Sequence, residues 1–155
     1  MSILYLDTSA LAKRYLTESG WTWIQSLIDS SAGNTILAAE ITRVEVAAAL
    51  SARHRATDGI SQTERDNAVR LLVHHCNIEY MMIPVDTTVL DRALTLTQNH
   101  RLRGYDAVQL ATALVVNEQY LAAELPALTF VTADADLVAA GDAEGLVTDD
   151  PNRYG

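Results

Sequence analysis

The sequence predicts an α/β fold, a mainly parallel central sheet with helices on both faces, and three observations predict it. Short apolar runs rich in strand formers, "ILYL", "NTILA", "YMMIPV", "LTFVT" and "GLVT", alternate along the chain with longer segments of helical periodicity. The intervening stretches are long enough for helical crossovers, which are right-handed and leave the joined strands parallel and covered on both faces. No repeat, low-complexity tract or linker breaks the alternation, and 155 residues suffice for a single domain, residues 1–155, with a core of its own.

Element by element, Ile3, Leu4, Tyr5 and Leu6 form a first strand, and the periodicity changes at Asp7, after which Ala10, Leu11, Ala12, Lys13 and Arg14 are helix formers. A charge at the end of a buried strand has two readings. Asp7, or Ser9 behind it, caps the helix by accepting backbone N–H bonds; alternatively, Asp7 is a ligand at the mouth of a parallel sheet, where such folds build their sites. "GWTWIQSLIDS" predicts a second helix with Trp23, Ile24, Leu27 and Ile28 on or near one face, and "NTILA" a second strand. "TRVEVAAALSARHR" is the next helix, opened by Thr42 and Glu45 at capping-box spacing, and "SQTERDNAVRLLVHHC" another, with Ser61 and Glu64 at the same spacing. A short strand "YMMIPV" ends near Pro84, and Asp86 can cap the helix "TTVLDRALTLTQNH". "GYDAVQLATALVVNEQYL" is the most strongly helical segment, "LTFVT" a buried strand, "ADLVAAG" a brief helix that Asp134 can cap, and "GLVT" an edge strand.

Composition narrows the function classes. A net charge of -9 argues against non-specific adhesion to nucleic acid or to anionic membranes, although divalent cations at an acidic site reverse the field locally. The single cysteine, Cys76, excludes an internal disulfide framework and fits a reducing compartment, and its expected place is the core. No basic leader precedes the apolar start, and "AVQLATALVV" is interrupted by Gln109 and Thr112, so a cytoplasmic protein without membrane contact is expected. There is no glycine-rich phosphate loop and no nucleophile elbow. His74 and His75 are adjacent and diverge on a helix, which makes them poor joint ligands.

Four carboxylates remain. Asp7 follows the first strand, Glu45 lies in the first turn of the helix after the second, Asp106 opens the long helix, and Asp134 follows "LTFVT". Each has an ordinary structural role available, as a cap or as a favourable charge at a helix N-terminus. That role explains poorly why Glu45 sits within "VEVAAAL" and Asp106 within "YDAVQLATAL", because a charge among core-facing residues is costly unless paired or metal-bound. Strand-end positions in a parallel sheet are neighbours in space, and hard cations take carboxylate oxygens.

With these motifs together, the chain resembles the PIN-domain ribonucleases, specifically the VapC-type toxins of toxin–antitoxin pairs. "LYLDTSAL" resembles the family's opening motif, "TRVEVAAAL" the segment with its glutamate, "LRGYDAVQLATAL" its most distinctive stretch and "FVTADADL" its last acidic motif. The resemblance implies a Mg²⁺- or Mn²⁺-dependent endoribonuclease that cleaves cellular RNA by metal-activated water, leaving a 5′-phosphate and a 3′-hydroxyl. It further implies a cognate antitoxin protein as partner, and a homodimer is the expected assembly. Asp7, Glu45, Asp106 and Asp134 match the family's catalytic and metal-binding acids, and Ser9 matches a hydroxyl residue beside the metal. Asp136, two residues beyond Asp134 and pointing away from it on a helix, is expected to be solvated or to sit behind the ligands. Arg43, Arg53, Arg55, Arg101 and Arg103 are candidates for RNA phosphates. Two alternatives stay open: a stand-alone RNA-processing PIN nuclease, which needs no antitoxin, and a non-catalytic α/β interaction module, which would tolerate loss of the acids.

Overall fold

The structure, a computed structural model, describes all 155 residues, Met1–Gly155. Five strands, β1 (Ile3–Leu6), β2 (Thr35–Ala39), β3 (Met81–Ile83), β4 (Thr129–Val131) and β5 (Val147–Asp149), form one sheet in the order β3-β2-β1-β4-β5. Every neighbouring pair is parallel, so the sheet is wholly rather than mainly parallel, with β5 at one edge as the sequence predicts. The connections are α1 (Thr8–Leu11) and α2 (Trp21–Ile28), then α3 (Thr42–Arg55) and α4 (Gln62–Ile78), then α5 (Thr87–Asn99) and α6 (Gly104–Ala122), and finally α7 (Ala135–Ala143).

Strand residues alternate strictly between two cores, as the two-residue repeat of a strand requires. Leu4, Leu6, Ile36, Ala38 and Val131 face one core, completed by Ala10 and Leu11 of α1, Ile24 and Ile28 of α2, Val46 and Leu50 of α3, and Leu72 and Cys76 of α4. Tyr5, Leu37, Ala39 and Phe130 face the other, completed by Val89, Ala93 and Leu96 of α5, Leu110 and Leu114 of α6, and Leu137 and Ala140 of α7. Tyr5 and Phe130, from neighbouring strands, bring their rings to 5.7 Å at a tilt of 42°. Each such fully buried side chain contributes about 1.5–3 kcal/mol.

The helices before β3 therefore cover one face and those after it the other. The chain winds outward from β1 through β2 to β3, returns to β4 beside β1, and winds the opposite way to β5. The reversal lies between β1 and β4, and loops leaving adjacent strands there diverge to opposite faces and open a crevice at the carboxyl ends. Asp7 leaves β1 and Thr132–Asp134 leave β4 at this point. Asp106 lies in the first turn of α6, as the sequence predicts, and comes after α5 and a short loop rather than after a strand.

Caps at Asp7, Ser61, Asp86 and Asp134 form as predicted, each side chain accepting a backbone N–H from the following turn. The Thr42–Glu45 box does not form. Ile41 occupies the cap position of α3 with no side-chain bond, because Thr42 and Glu45 are both engaged by Gln109 across the core. Val44 beside Glu45 is exposed, so only Val46 of the two valines faces the core. No helix is long and apolar enough to cross a membrane.

The C-terminal segment packs back on α2. Tyr154 stacks on Trp23 at 4.2 Å and 7°, Trp21 stays exposed, and Pro151 is buried against Gly20. Gly20 has φ +82°, and a Cβ there would lie 2.3 Å from the Pro151 carbonyl oxygen. Gly20→Ala is therefore expected to lower stability by about 1–3 kcal/mol, from the left-handed backbone alone and more if the C-terminal segment lifts, as measured by urea unfolding. A variant as stable as the parent would mean that this contact carries no tension.

Candidate active site

Asp7 is held by donors from two loops. Its Oδ1 accepts the backbone N–H of Ala10 at 2.9 Å and the Ser9 hydroxyl at 2.7 Å, and its Oδ2 accepts the Thr132 hydroxyl at 2.7 Å. The Asp7 N–H donates to the Val131 carbonyl at 3.2 Å, which continues the β1–β4 ladder into the loops. Ser9 Oγ accepts from Ala133 N–H at 2.9 Å, and Thr132 Oγ1 accepts from Asp134 N–H at 3.1 Å, so the two hydroxyls stitch the loops together around the carboxylate. Asp7 thus is the cap of α1, and the cap uses only one of its oxygens. Asp134 Oδ1 caps α7 through Asp136 N–H at 2.8 Å and Leu137 N–H at 3.1 Å, while Oδ2 has no protein donor.

Burial makes Asp7 an unusual acid. It is 3% exposed, and desolvation pushes its pKa from 3.8 up to about 6, partly opposed by Thr132, Ser9 and Ala10 and reinforced by the charge of Asp106. Desolvation also raises Asp106, with the charge of Asp134 adding to it and Arg103 opposing. Asp7, Asp106 and Asp134 therefore form a chain of mutually repelling carboxylates at one end of the sheet. Arg103 offers weak compensation, its Nε 3.4 Å from Asp106 Oδ2 on a side chain 87% exposed.

Glu45 joins the group through hydrogen bonds. Its Oε1 accepts Thr8 Oγ1 at 3.0 Å and Gln109 Nε2 at 2.8 Å, and Oε2 has no protein donor. In the structure no three acid, histidine or cysteine side chains close to the spacing of a formed chelate. The donor set is nonetheless chemically that of a hard divalent cation: four carboxylates, two of them with one oxygen anchored and the other unengaged by the protein, and two with raised pKa.

The remaining candidates sort by position. Ser9 lies beside Asp7, as expected. Asp136 is exposed and lines, with Asp106, Asp134, Arg101 and Arg103, a cleft of about 470 Å³. Arg43 is tied to Glu40 and Asn77, whereas Arg53 and Arg55 are exposed on the last turns of α3, outside this cleft. His75 bonds Tyr15, His100 bonds Glu144, and Cys76 is buried, in keeping with structural roles. A larger depression of about 690 Å³ beside Arg14, Gln25 and Asp29 contains none of the four acids. The supporting residues that the sequence did not single out are Thr8 and Thr132; it read Thr42 only as part of a capping box and Gln109 only as an interruption in an apolar run.

Comparison with known proteins places the chain in a family and matches its fold. The family model described as "PIN domain" matches residues 4–142. Ribonuclease VapC45 and Ribonuclease VapC49, from two strains of Mycobacterium tuberculosis, are each 33% identical over 118 residues, covering 76% of this chain and 79% of theirs. Among solved structures, a toxin–antitoxin complex from Klebsiella pneumoniae has a chain superposing with TM-score 0.58 at 20% identity over 96% of this chain and 97% of that one. Mycobacterium tuberculosis VapC20, described as a Sarcin-Ricin loop cleaving toxin, superposes with TM-score 0.62 at 16% identity over 90% and 95%. Both share the fold.

The raised pKa of Asp7 makes stability pH-dependent with a definite sign. The folded chain binds this proton more tightly than the unfolded chain, so the contribution is fully present below about pH 3.8 and is lost as pH rises through about 6. Ionising Asp7 in the folded state costs about 3 kcal/mol. Asparagine keeps the cap without the charge, so in chelator at pH 7 Asp7→Asn is expected to be about 1–3 kcal/mol more stable than wild type, with the difference vanishing near pH 4. Urea unfolding of both proteins across this range measures it, and a pH-independent difference would remove the case for a strained carboxylate.

Proposed function

The chain belongs to the PIN-domain family and, within it, to the VapC ribonucleases, and on that premise we propose that it is a metal-dependent endoribonuclease acting as the toxin of a type II toxin–antitoxin pair. The observation that carries the reading is the convergence of Asp7, Asp106 and Asp134 at the point where the sheet reverses its winding, with Asp7 held ionisable at about 6 in a desolvated pocket. A buried carboxylate beside other acids is costly to ionise without a compensating charge, and a divalent cation supplies one.

In this reading Asp7, Asp106 and Asp134 would hold Mg²⁺ or Mn²⁺, and Glu45 would bind the metal or hold the attacking water. The metal, when bound, lowers the pKa of water and stabilises charge on the scissile phosphate. The chain's own residues do the rest. Ser9 and Thr132 fix Asp7, Thr132 receives the Asp134 N–H, and the exposed Arg101 and Arg103 at the cleft rim are positioned to meet RNA phosphates. No histidine or lysine base is needed, and products carry a 5′-phosphate and a 3′-hydroxyl.

A cognate antitoxin and a homodimer belong to the same reading. The structural neighbour from Klebsiella pneumoniae is a toxin–antitoxin complex, which supports the partner class. An acidic cleft is a natural receptor for a guanidinium group carried by that partner, because arginine pairs bidentately with carboxylates.

Expression of this chain alone is expected to arrest growth, with cellular RNA gaining 5′-phosphate ends that are absent when Asp106→Asn is expressed at equal abundance. Equal toxicity of the two proteins would exclude metal-dependent cleavage as the cause. In vitro, Mn²⁺ at about ten times its dissociation constant is expected to stabilise wild type by about 1.4 kcal/mol, about 3–6 °C in melting temperature, and Asp106→Asn is expected to lose most of that gain.

A further inference from the structure

Gln109 lies in the second turn of α6, 2% exposed, among Ala107, Leu110, Ala111 and Ala113. A primary amide in such surroundings is costly unless fully hydrogen-bonded, and this one is. Its Oε1 accepts the Tyr5 hydroxyl at 2.8 Å, and its Nε2 lies 2.8 Å from Glu45 Oε1, 3.0 Å from Thr42 Oγ1 and 3.2 Å from Thr8 Oγ1. Its orientation follows from donor chemistry. An ionised carboxylate only accepts, so the amide nitrogen must face Glu45, and the carbonyl is left for Tyr5.

The bonded residues share a second property: they come from the segments that carry the acids. Tyr5 and Thr8 flank Asp7, Glu45 is itself one of the four, and Gln109 is one helical turn beyond Asp106 on the same side of α6. One amide therefore cross-links β1 and its following turn, α3 and α6. We propose that Gln109 is a positioning residue for Glu45: by engaging Oε1 it leaves Oε2 as the oxygen free to act, held in register with the Asp7 turn and the Asp106 helix, and so sets the affinity of the site for its divalent cation. The inference rests on the metal-dependent reading above and assigns a role within it to a residue outside the acidic set. A purely structural amide would satisfy its hydrogen bonds equally well, but its loss would act on folding and not on the metal.

The test compares wild type, Gln109→Leu, Glu45→Gln and the double variant as full chains, reading Mn²⁺ half-saturation twice, from the rise in melting temperature and from RNA cleavage. Gln109→Leu, close in volume and unable to donate, is expected to raise half-saturation by about 10–100-fold in both readouts, the range typical of residues that orient ligands. Cleavage at saturating Mn²⁺ is expected to fall less than half-saturation rises. In the Glu45→Gln background the same substitution is expected to add nothing, because Gln109 acts through Glu45. Unchanged half-saturation, or an equal rise in both backgrounds, overturns the proposal. Should Gln109→Leu fail to fold, Tyr5→Phe, which removes only the hydroxyl that fixes the amide, is expected to raise half-saturation in the same direction by a smaller factor and only where Glu45 is present; no change there overturns the proposal equally. If wild type itself shows no Mn²⁺-dependent rise, the metal-dependent function fails and this inference with it. If wild type responds and Glu45→Gln loses the response while Gln109→Leu keeps it, the positioning role alone fails.

Discussion

A buried carboxylate at the end of β1 is the constraint around which this chain is organised. Asp7 has three donors, drawn from the turn behind it and from the loop after β4, and the two hydroxyls among them accept in turn from the Ala133 and Asp134 N–H groups. Removing the charge from water costs several kcal/mol, and three hydrogen bonds recover only part of it, which is why the acid remains hard to ionise. The two loops cannot separate without stranding that carboxylate. The site is thus rigid because of the same charge that makes it chemically useful.

The parallel sheet explains why the acids meet at all. Because β1 lies between β2 and β4, the turn after β1 borders both the α3 start, with Glu45, and the β4 loop, with Asp134. Asp106 is delivered separately, by the connection from α5 into α6, and its charge bears on Asp7 as that of Asp134 bears on it. Two kinds of tether divide the work. Hydroxyls of Ser9 and Thr132 serve Asp7, whereas the amide of Gln109 and the hydroxyl of Thr8 serve Glu45. Neutral donors keep the negative charge of the acids intact, which a lysine or arginine in either place would cancel.

Capping and ligand roles, which compete as explanations of "LYLDTSAL" in the sequence, are compatible in three dimensions. A carboxylate has two oxygens, and a cap consumes one. Asp134 shows the division plainly, with Oδ1 on α7 and Oδ2 unengaged, and Asp7 adds only the Thr132 hydroxyl to its second oxygen. A helix start is therefore a cheap way to aim an acid: the backbone N–H groups orient one oxygen and leave the other outward.

The strands, most caps and the four acids are legible in the sequence because they depend on neighbours a few residues away: apolar runs for β1 and β4, a hydroxyl or carboxylate before a helical pattern for α4, α5 and α7. Thr42 and Glu45 follow the same local rule and break it, since a buried amide 64 residues or more away outbids the α3 backbone for both side chains. Gln109 and Thr132 carry no local signal at all: Tyr5 is 104 residues from the first and Asp7 is 125 from the second. By itself the sequence determined the alternation of elements, the two-faced sheet and which acids stand at the starts of helices. Only the tertiary structure decided which groups engage the oxygens of Asp7, Glu45 and Asp134, and that Glu45 Oε2 and Asp134 Oδ2 have no donor, because buried polar groups must find partners wherever the packed sheet and helices bring them.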